Sequence, residues 1–297
     1  MKRTGEYTLL LFFLICCPIA MAQETIRELK TNNAYPNLSN DSQLLVFHSD
    51  ISGNNEIYIS DLTLGITKQL TNNPANDRTP SISPDKSKIA FVSTRNGNYD
   101  IFLMDIDGKT QRNITNDSLS KDIHPYWFPN GKKLVFNSTA RGEDYDIYSY
   151  SLVNKTIEKL RTSPGESTHG QISPNGLKMV FRKYFKEIDE TNSEIVILDF
   201  ETGIEQRITN NAAFDSHPIW TNSGNQIIYV SDLDGPEKYH TSIFMYDIKS
   251  QYTSQLTKSK DEYRDLTPAF DAINKRVLFT RQSADRSKAD VLSIKYY

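Results

Sequence analysis

The sequence predicts an all-β protein, a six-bladed β-propeller of four-stranded antiparallel blades. An aromatic residue that ends a short apolar run recurs along the chain at intervals of 44 to 50 residues. A proline, replaced once by glycine, stands eleven residues before each of these aromatic markers. Each unit also contains four short runs separated by turn signals. Four strands in about 45 residues are typical of one propeller blade.

The markers define the six units in order. They are Phe47, Phe91, Phe136, Phe181, Tyr229 and Phe279, preceded by Pro36, Pro80, Pro125, Gly170, Pro218 and Pro268. The run that ends near each marker is rich in β-branched residues, as expected for a strand covered on both faces. A second run follows, such as DIFL at 100–103, and a weaker one closes the unit, such as TKQLT at 67–71. The short run after each proline makes the fourth strand.

The sixth unit supplies only three of these strands and ends at LSIKYY. We expect the missing outer strand to come from residues 24–32, because Ile26 to Lys30 resembles the closing runs of the other units. An N-terminal strand in this place would close the ring and remove an open sheet edge.

Residues 1–22 have the pattern of a cleaved secretory signal peptide. Lys2 and Arg3 precede an apolar core, and Ala20-Met21-Ala22 forms a small-residue cleavage site before Gln23. We therefore expect a single propeller domain at 23–297, periplasmic or secreted from a bacterium. Lipid attachment at Cys16 or Cys17 is the less favoured alternative, since the residues before them match a lipobox poorly.

Composition excludes several classes of function for the mature chain. Both cysteines of the sequence lie inside the signal peptide, so a cysteine nucleophile, a thiolate metal site and a disulfide are excluded. The net charge of the whole sequence is −3, and no basic stripe points to nucleic acid. No later run is apolar enough for a membrane helix. We expect a soluble protein, most simply a monomer.

The repeats resemble a known family. HSDISGNNEIYISDLTLGITKQLTNN and FVSTRNGNYDIFLMDIDG, with Ser83-Pro84-Asp85 upstream, are similar to the WD40-like (PD40) repeats of TolB-type propellers. The resemblance covers the whole mature chain and implies the fold and a location in the cell envelope. TolB itself carries an extra α/β domain before its propeller, for which the sequence has no counterpart, so TolB's role does not carry over. Similar repeats form the propeller of prolyl-oligopeptidase-type peptidases, but no G-x-S-x-G elbow follows here.

Two rings of residues are predicted around one mouth of the central channel, because each inner strand begins just before its proline. The residues one position before the proline are Tyr35, Thr79, His124, His169, His217 and Thr267. Those three positions before it are Asn33, Asp77, Asp122, Ser167, Asp215 and Asp265. Three of the five histidines of the chain therefore occupy one structural position in consecutive blades.

These rings have two interpretations. In the structural one, the aspartates bond to turn amides and the histidines to neighbouring backbone. In the functional one, they form a site for an anionic ligand or a cation, with His124, His169 and His217 as ligands of a divalent metal and carboxylates completing the shell. Oligogalacturonate lyases, which this repeat organisation distantly resembles, place a histidine-bound metal at such a mouth. Of their His/Gln pattern only His169-Gly170-Gln171 is found here.

The loops after the fourth and fifth markers are longer than the others and are expected at the same mouth. They bring Arg182, Tyr184, Lys238 and Tyr239, residue types suited to protein or glycan contacts. Drift in loop length is the alternative explanation.

Two functions follow from these patterns. We favour a non-enzymatic binding or scaffold module for a protein or a cell-envelope polymer, because no acid, base and nucleophile form a matched set. The alternative is a metal-dependent lyase or hydrolase that acts on acidic oligosaccharides, in which the metal would acidify a proton beside a uronate carboxylate.

Overall fold

The computed structural model describes residues 32–140, 142, 144–161, 164–185, 192–235, 240–258 and 263–296. These residues form β-strands and turns and no α-helix, as the sequence predicts. Among the same residues, no helix has the length and hydropathy needed to cross a bilayer. The predicted signal peptide and the predicted closing strand lie outside the described residues, except for Asn32.

The strands fall into six sheets, one for each predicted blade. Blades 1 to 3 contain β1 (Asn33–Leu38), β2 (Leu44–Ser49), β3 (Glu56–Asp61), β4 (Ile66–Gln69); β5 (Asp77–Ile82), β6 (Lys88–Ser93), β7 (Asp100–Asp105), β8 (Arg112–Asn113); and β9 (Asp122–Trp127), β10 (Lys133–Ser138), β11 (Asp146–Ser151), β12 (Ile157–Lys159). Blades 4 to 6 contain β13 (Ser167–Ile172), β14 (Lys178–Tyr184), β15 (Ser193–Asp199), β16 (Glu205–Arg207); β17 (Asp215–Trp220), β18 (Gln226–Ser231), β19 (Ser242–Asp247), β20 (Thr253–Gln255); and β21 (Tyr263–Asp271), β22 (Arg276–Ser283), β23 (Ala289–Lys295).

Within each blade, consecutive strands pair antiparallel, from the inner strand at the channel to the outer strand at the rim. Blade 6 has three strands among the described residues, so its predicted N-terminal fourth strand stays a prediction.

The core lies between the blades. Strand side chains alternate between two faces, so Ile89 and Phe91 pack on blade 1, whereas Ala90 and Val92 pack on blade 3. There are six such clusters among the described residues, one for each pair of neighbouring blades. Every blade is thus covered on both faces, which explains the near-continuous apolar runs in the sequence.

The ring is closed by contacts between blade 6 and blade 1. Leu45, Phe47 and Tyr58 of blade 1 share a buried cluster with Leu278 and Val291 of blade 6. The backbone repeats the geometry of an internal junction. Asn32 bridges Ala289 in parallel, as Phe214 bridges Ser193 between blades 5 and 4. The first and last blades therefore meet as blades 4 and 5 do.

Candidate functional site

Every inner strand contains a β-bulge at the position of the candidate site. In all six blades the inner strand places two residues, the ring residue and the proline or glycine after it, opposite the single aromatic marker. Proline is suited to a bulge because it has no N–H to leave unpaired. The bulge re-aims the side chain of the ring residue. This device, repeated six times, accounts for the fixed spacing from proline to marker.

The ring residues share an uncommon backbone conformation. All six are left-handed, with φ between 45° and 56°, although none is glycine; they are Tyr35, Thr79, His124, His169, His217 and Thr267. Left-handed backbone is unfavourable for residues with a Cβ, particularly β-branched ones such as threonine. The fold therefore holds these side chains in the channel at the expense of local strain.

Gly170 shows how closely this bulge is packed. It replaces the proline of the other five blades, and a Cβ at this position would lie 2.9 Å from Cγ2 of Ile147 and 3.1 Å from Sδ of Met179. We expect Gly170→Ala to lower the free energy of unfolding by about 1–3 kcal/mol through overpacking, measured by urea denaturation. Gly176→Ala adds a methyl group without crowding, because nothing lies within 4 Å of that Cβ, and its cost of about 1–2 kcal/mol comes from the left-handed backbone at φ 77°. Gly170 has no such backbone cost, so a Gly170→Ala variant as stable as the parent would contradict the packing argument.

The three predicted histidines meet in the channel. The ring centroid of His169 lies 4.1 Å from that of His124 and 4.0 Å from that of His217. Tyr35 completes the group, with its ring 5.9 Å from His124 and 6.0 Å from His217. Only about 10 Å³ of open space remains beside Tyr35 and His124 at this level, room for one water-sized group. The four rings therefore pack closely together in the channel at this level.

Burial holds the imidazoles in the neutral form. It lowers the pKa of His124 to about 4 and the pKa values of His169 and His217 well below the ordinary value, with their mutual repulsion and Arg182 adding to the effect. A neutral imidazole offers one N–H donor and one acceptor nitrogen. In the part of the chain that is described, no hydrogen-bond partner reaches Nδ1 of His124, Nε2 of His169 or either ring nitrogen of His217. These nitrogens are almost inaccessible to solvent, so their hydrogen-bonding capacity is buried and unsatisfied.

A second layer of polar side chains supports the ring and was missed by the sequence analysis. In three blades the residue after the marker accepts a hydrogen bond from the backbone N–H of the ring residue in the next blade. Nδ1 of His48 accepts from Thr79, Oδ1 of Asn137 from His169, and Oγ1 of Thr280 from Tyr35, at 3.4, 3.0 and 3.2 Å. The available signal was the polar residue after four of the six markers, at a strand position that is otherwise apolar.

Arg182 holds the same position in blade 4, but its guanidinium can only donate. Its side chain is buried, with 8% of its surface exposed. Nη1 donates to Oγ of Ser216 at 3.1 Å, and Nη2 donates to the hydroxyl of Tyr184. The guanidinium carbon lies 4.4 Å from the ring centroid of Tyr184 and 5.2 Å from that of Phe214. The charge of Arg182 acts on all three histidines, so Arg182 and Tyr184 lie near them, and their role in ligand binding stays a prediction.

The aspartates of the second ring are separated from one another by the blades. Asp77 pairs with Arg95 at 2.7 Å, and Asp265 binds Arg281 through both oxygens at 2.7 and 2.8 Å. Burial instead raises the pKa of Asp122, and that of Asp215 to about 7. The backbone N–H of Asp77, Asp122 and Asp265 bonds to the preceding blade. The carboxylates of Asp77 and Asp265 are thus paired with arginines of their own blades, and a ligand-binding role for the ring stays a prediction.

The remaining predicted site residues cannot be placed. Lys238 and Tyr239 lie outside the described residues. Among the residues that are described, no group of three or more His, Cys, Asp or Glu side chains has a geometry that could hold a metal ion. The metal assignment of the three histidines stays a prediction.

The other mouth of the channel carries a separate cavity of about 450 Å³. It is lined by the far ends of the inner strands, including Trp127, Gln171 and Trp220. The indole N–H groups of the two tryptophans donate to Ser81 and Gln171 carbonyls of the preceding blades, at 3.0 and 3.1 Å. These tryptophans therefore join blades, and the layer of ring residues separates this cavity from the histidine mouth.

Comparison with known proteins places this geometry in a wider group. The family model described as the Tricorn protease N-terminal beta propeller domain matches residues 64–284. TolB from Acinetobacter baumannii superposes with a TM-score of 0.68 at 24% identity, over 80% of this chain and 57% of that one. The chain thus spans little more than half of that TolB. Putative TolB from Agrobacterium tumefaciens gives 0.64 at 20% identity, over 91% and 96% of the two chains. Oligogalacturonate lyase from Vibrio parahaemolyticus gives 0.60 at 16% identity, over 88% and 89%. Likeness at these identities establishes the propeller fold.

Proposed function

The chain belongs to the family of the Tricorn protease N-terminal beta propeller domain, and we propose that it is an exported, TolB-like binding module. In this proposal it holds a protein or a cell-envelope polymer at the histidine mouth, in the periplasm or outside the cell. One observation carries the proposal: the unsatisfied ring nitrogens of His124, His169 and His217 converge where the channel opens.

The physical reason is the free energy of unpaired polar groups. A buried donor or acceptor without a partner costs about 1–3 kcal/mol, and the histidine group contains several in left-handed residues. A fold repeats such a strained arrangement when the groups serve a ligand. The likeness to TolB supports a binding role, and the predicted signal peptide supports the export.

The test is capture of envelope components by the purified mature chain. We expect co-sedimentation with isolated peptidoglycan sacculi, or cross-linking to an envelope protein, that is lost when His124, His169 and His217 are all replaced by alanine. Asn222→Ala is the control, because Asn222 is exposed and lines the cavity at the opposite mouth. Capture that survives the triple replacement and fails in the control would overturn the proposal by moving the site to the other mouth.

The alternative is the metal-dependent lyase or hydrolase. Three clustered histidines are the observation in its favour, together with the fold shared with oligogalacturonate lyase. It requires stoichiometric uptake of manganese, zinc or calcium by the parent chain and loss of that uptake in the triple variant. Unsaturated-uronate absorbance from pectic oligomers would then replace the binding proposal by this one.

A further inference from the structure

Seven arginines of the described residues fall into two groups according to their partners. At the blade junctions, Arg95, Arg161, Arg207 and Arg281 each pair with at least one aspartate or glutamate. At the histidine mouth, the arginines bond to neutral groups instead: Arg182 to hydroxyls, Arg264 to Oε1 of Gln282, and Arg78 to Oδ1 of Asn76. The mouth therefore holds positive charge that no carboxylate in this part of the chain neutralises through an ion pair.

Arg182 is the most enclosed of the three. Its Nε has no hydrogen-bond partner among the described residues, and its side chain is more than nine-tenths buried. A buried charge is unfavourable unless it is paired. Two aromatic rings and two hydroxyls stabilise it in part, since cation–π contacts favour a guanidinium. They do not supply the negative charge that the four junction arginines have.

Other charged groups nearby strengthen the positive electrostatic potential around Arg182. Arg78, Arg182 and Arg264 come from blades 2, 4 and 6, and all three lower the pKa of the Tyr35 phenol against the larger effect of burial. Arg286 adds to the field at Arg264. Among the described residues, two carboxylates act against it: Asp50, which accepts two hydrogen bonds from Asn32, and Glu166, which favours the charged form of Arg182.

We propose that the histidine mouth binds a carboxylate of its partner, with Arg182 as the charged anchor and the N–H groups of His169 and His217 as further donors. This rests on the proposed binding function and names the chemical group that the site recognises. Arginine suits the role because its planar fork matches a carboxylate in two bonds. The free Nε–H and the unsatisfied imidazole nitrogens supply donors on one side of the channel. In this proposal the carboxylate enters from the loop side, where Tyr184 and the histidines lie near Arg182.

The experiment measures binding of small carboxylates to the full mature chain by calorimetry. N-acetylglutamate stands for an acidic peptide group and galacturonate for an acidic sugar, with N-acetylglutamine and galactose as their neutral counterparts. We expect the acids to bind, the neutral analogues not to bind, and Arg182→Gln to weaken binding roughly ten- to a hundred-fold. Arg182→Lys keeps the charge without the fork and should give an intermediate loss. Whichever acid binds more tightly identifies the source of the carboxylate.

Arg112→Gln is the matched control. It removes the same charge from an exposed position on β8, at the rim of blade 2, and should leave binding unchanged. A second readout separates the ligand contact from a loss of folding. In proton NMR at constant pH, the imidazole signals of the parent chain should shift when N-acetylglutamate or galacturonate is added, because a bound anion raises the pKa of nearby imidazoles. They should remain fixed in Arg182→Gln while its chemical-shift dispersion stays native.

The outcomes distinguish this inference from the function on which it rests. If sacculi or an envelope protein are captured but neither acid binds, or Arg182→Gln binds as the parent does, the carboxylate inference is wrong and the binding function stands. If the acids bind through Arg182 but capture is insensitive to the histidines, the carboxylate site stands and the proposed function is wrong. Binding weakened equally by Arg182→Gln and Arg112→Gln would show general charge attraction and contradict a specific site.

Discussion

Replacing Phe91 by alanine is expected to lower the free energy of unfolding by about 3–5 kcal/mol. The side chain is fully buried between blades 1 and 2, and its ring lies 5.7 Å from that of Phe102. The guanidinium carbon of Arg95 lies 5.6 Å from the Phe91 ring centroid and 4.7 Å from that of Phe102. The substitution therefore leaves a cavity in a closely packed interface and also removes an aromatic and a cation–π contact.

Urea denaturation followed by circular dichroism measures this effect. Leu64→Ala is the control, because Leu64 is 68% exposed and its truncation should change the free energy of unfolding by less than about 0.5 kcal/mol. Phe136→Ala and Phe181→Ala should behave like Phe91→Ala, since each marker occupies the same place between its neighbours. If one marker were as tolerant as Leu64, its blade would not share the core of the ring.

The sequence was sufficient for the blades because their packing is local to the repeat. The marker packs on the blade before it in every copy, and the residue after Phe91, Val92, packs on the blade after it. A strand that is buried on both faces has a short, continuous apolar sequence, and the number of such repeats gives the number of blades. The same logic explains why the three histidines could be brought together from the sequence: residues at one position of consecutive repeats meet at the channel.

The backbone conformation of the ring residues and the polar residues that contact them could not be predicted in this way. Whether a residue before proline is extended or left-handed is not visible in its identity, and threonine at Thr79 and Thr267 argues against the conformation found. His48 and Arg182 follow a marker and have the appearance of ordinary strand residues. Their roles depend on the bulge of the next blade, which brings a backbone N–H or Ser216 within reach.

The different surroundings of the four aspartates also could not be predicted from the sequence. Four residues of one type at one repeat position suggested one site, yet their surroundings differ. Asp77 and Asp265 have arginines from the second strand or its loop, Arg95 and Arg281, whereas Asp122 and Asp215 have only neutral partners. The partner lies 16 or 18 residues away in the chain, at a position that the marker alignment does not single out. The four aspartates therefore differ in their charged partners, although the sequence places them at equivalent positions.

Acid is expected to destabilise the folded protein steeply below about pH 6.5. Burial lowers the pKa of His48 to about 3 and that of His124 to about 4, and it lowers the pKa values of His169 and His217 further below the ordinary one. In the unfolded chain these histidines titrate near pH 6.5. Between the two pKa values the unfolded chain binds protons that the folded protein does not. The free energy of unfolding then falls as the pH falls, by about 1.4 kcal/mol per pH unit for each such histidine.

Buried aspartates act in the opposite direction. Burial raises the pKa of Asp215 from 3.8 to about 7, so between these values the folded protein holds a proton that the unfolded chain has released. Its contribution to stability grows as the pH falls from about 7 to about 4. Asp100 and Asp122 are shifted in the same direction, again by burial. Because four histidines act in one direction and three carboxyl groups in the other, the unfolded chain takes up at least one more proton than the folded protein. The free energy of unfolding should therefore fall by at least about 1.4 kcal/mol between pH 6 and pH 5.

Two single variants test both signs in one experiment. His48→Asn keeps an acceptor for the Thr79 N–H but removes the titrating group, so the slope of unfolding free energy against pH should decrease by about 1.4 kcal/mol per pH unit between pH 6 and pH 5. Asp215→Asn removes the opposing group and should steepen the slope by a similar amount. Urea midpoints at half-unit intervals from pH 7.5 to pH 4.5 measure these slopes, at constant ionic strength because surface charges respond to salt. If both variants followed the parent's slope, the imidazoles would be charged in the folded channel and the neutral histidine mouth would be wrong.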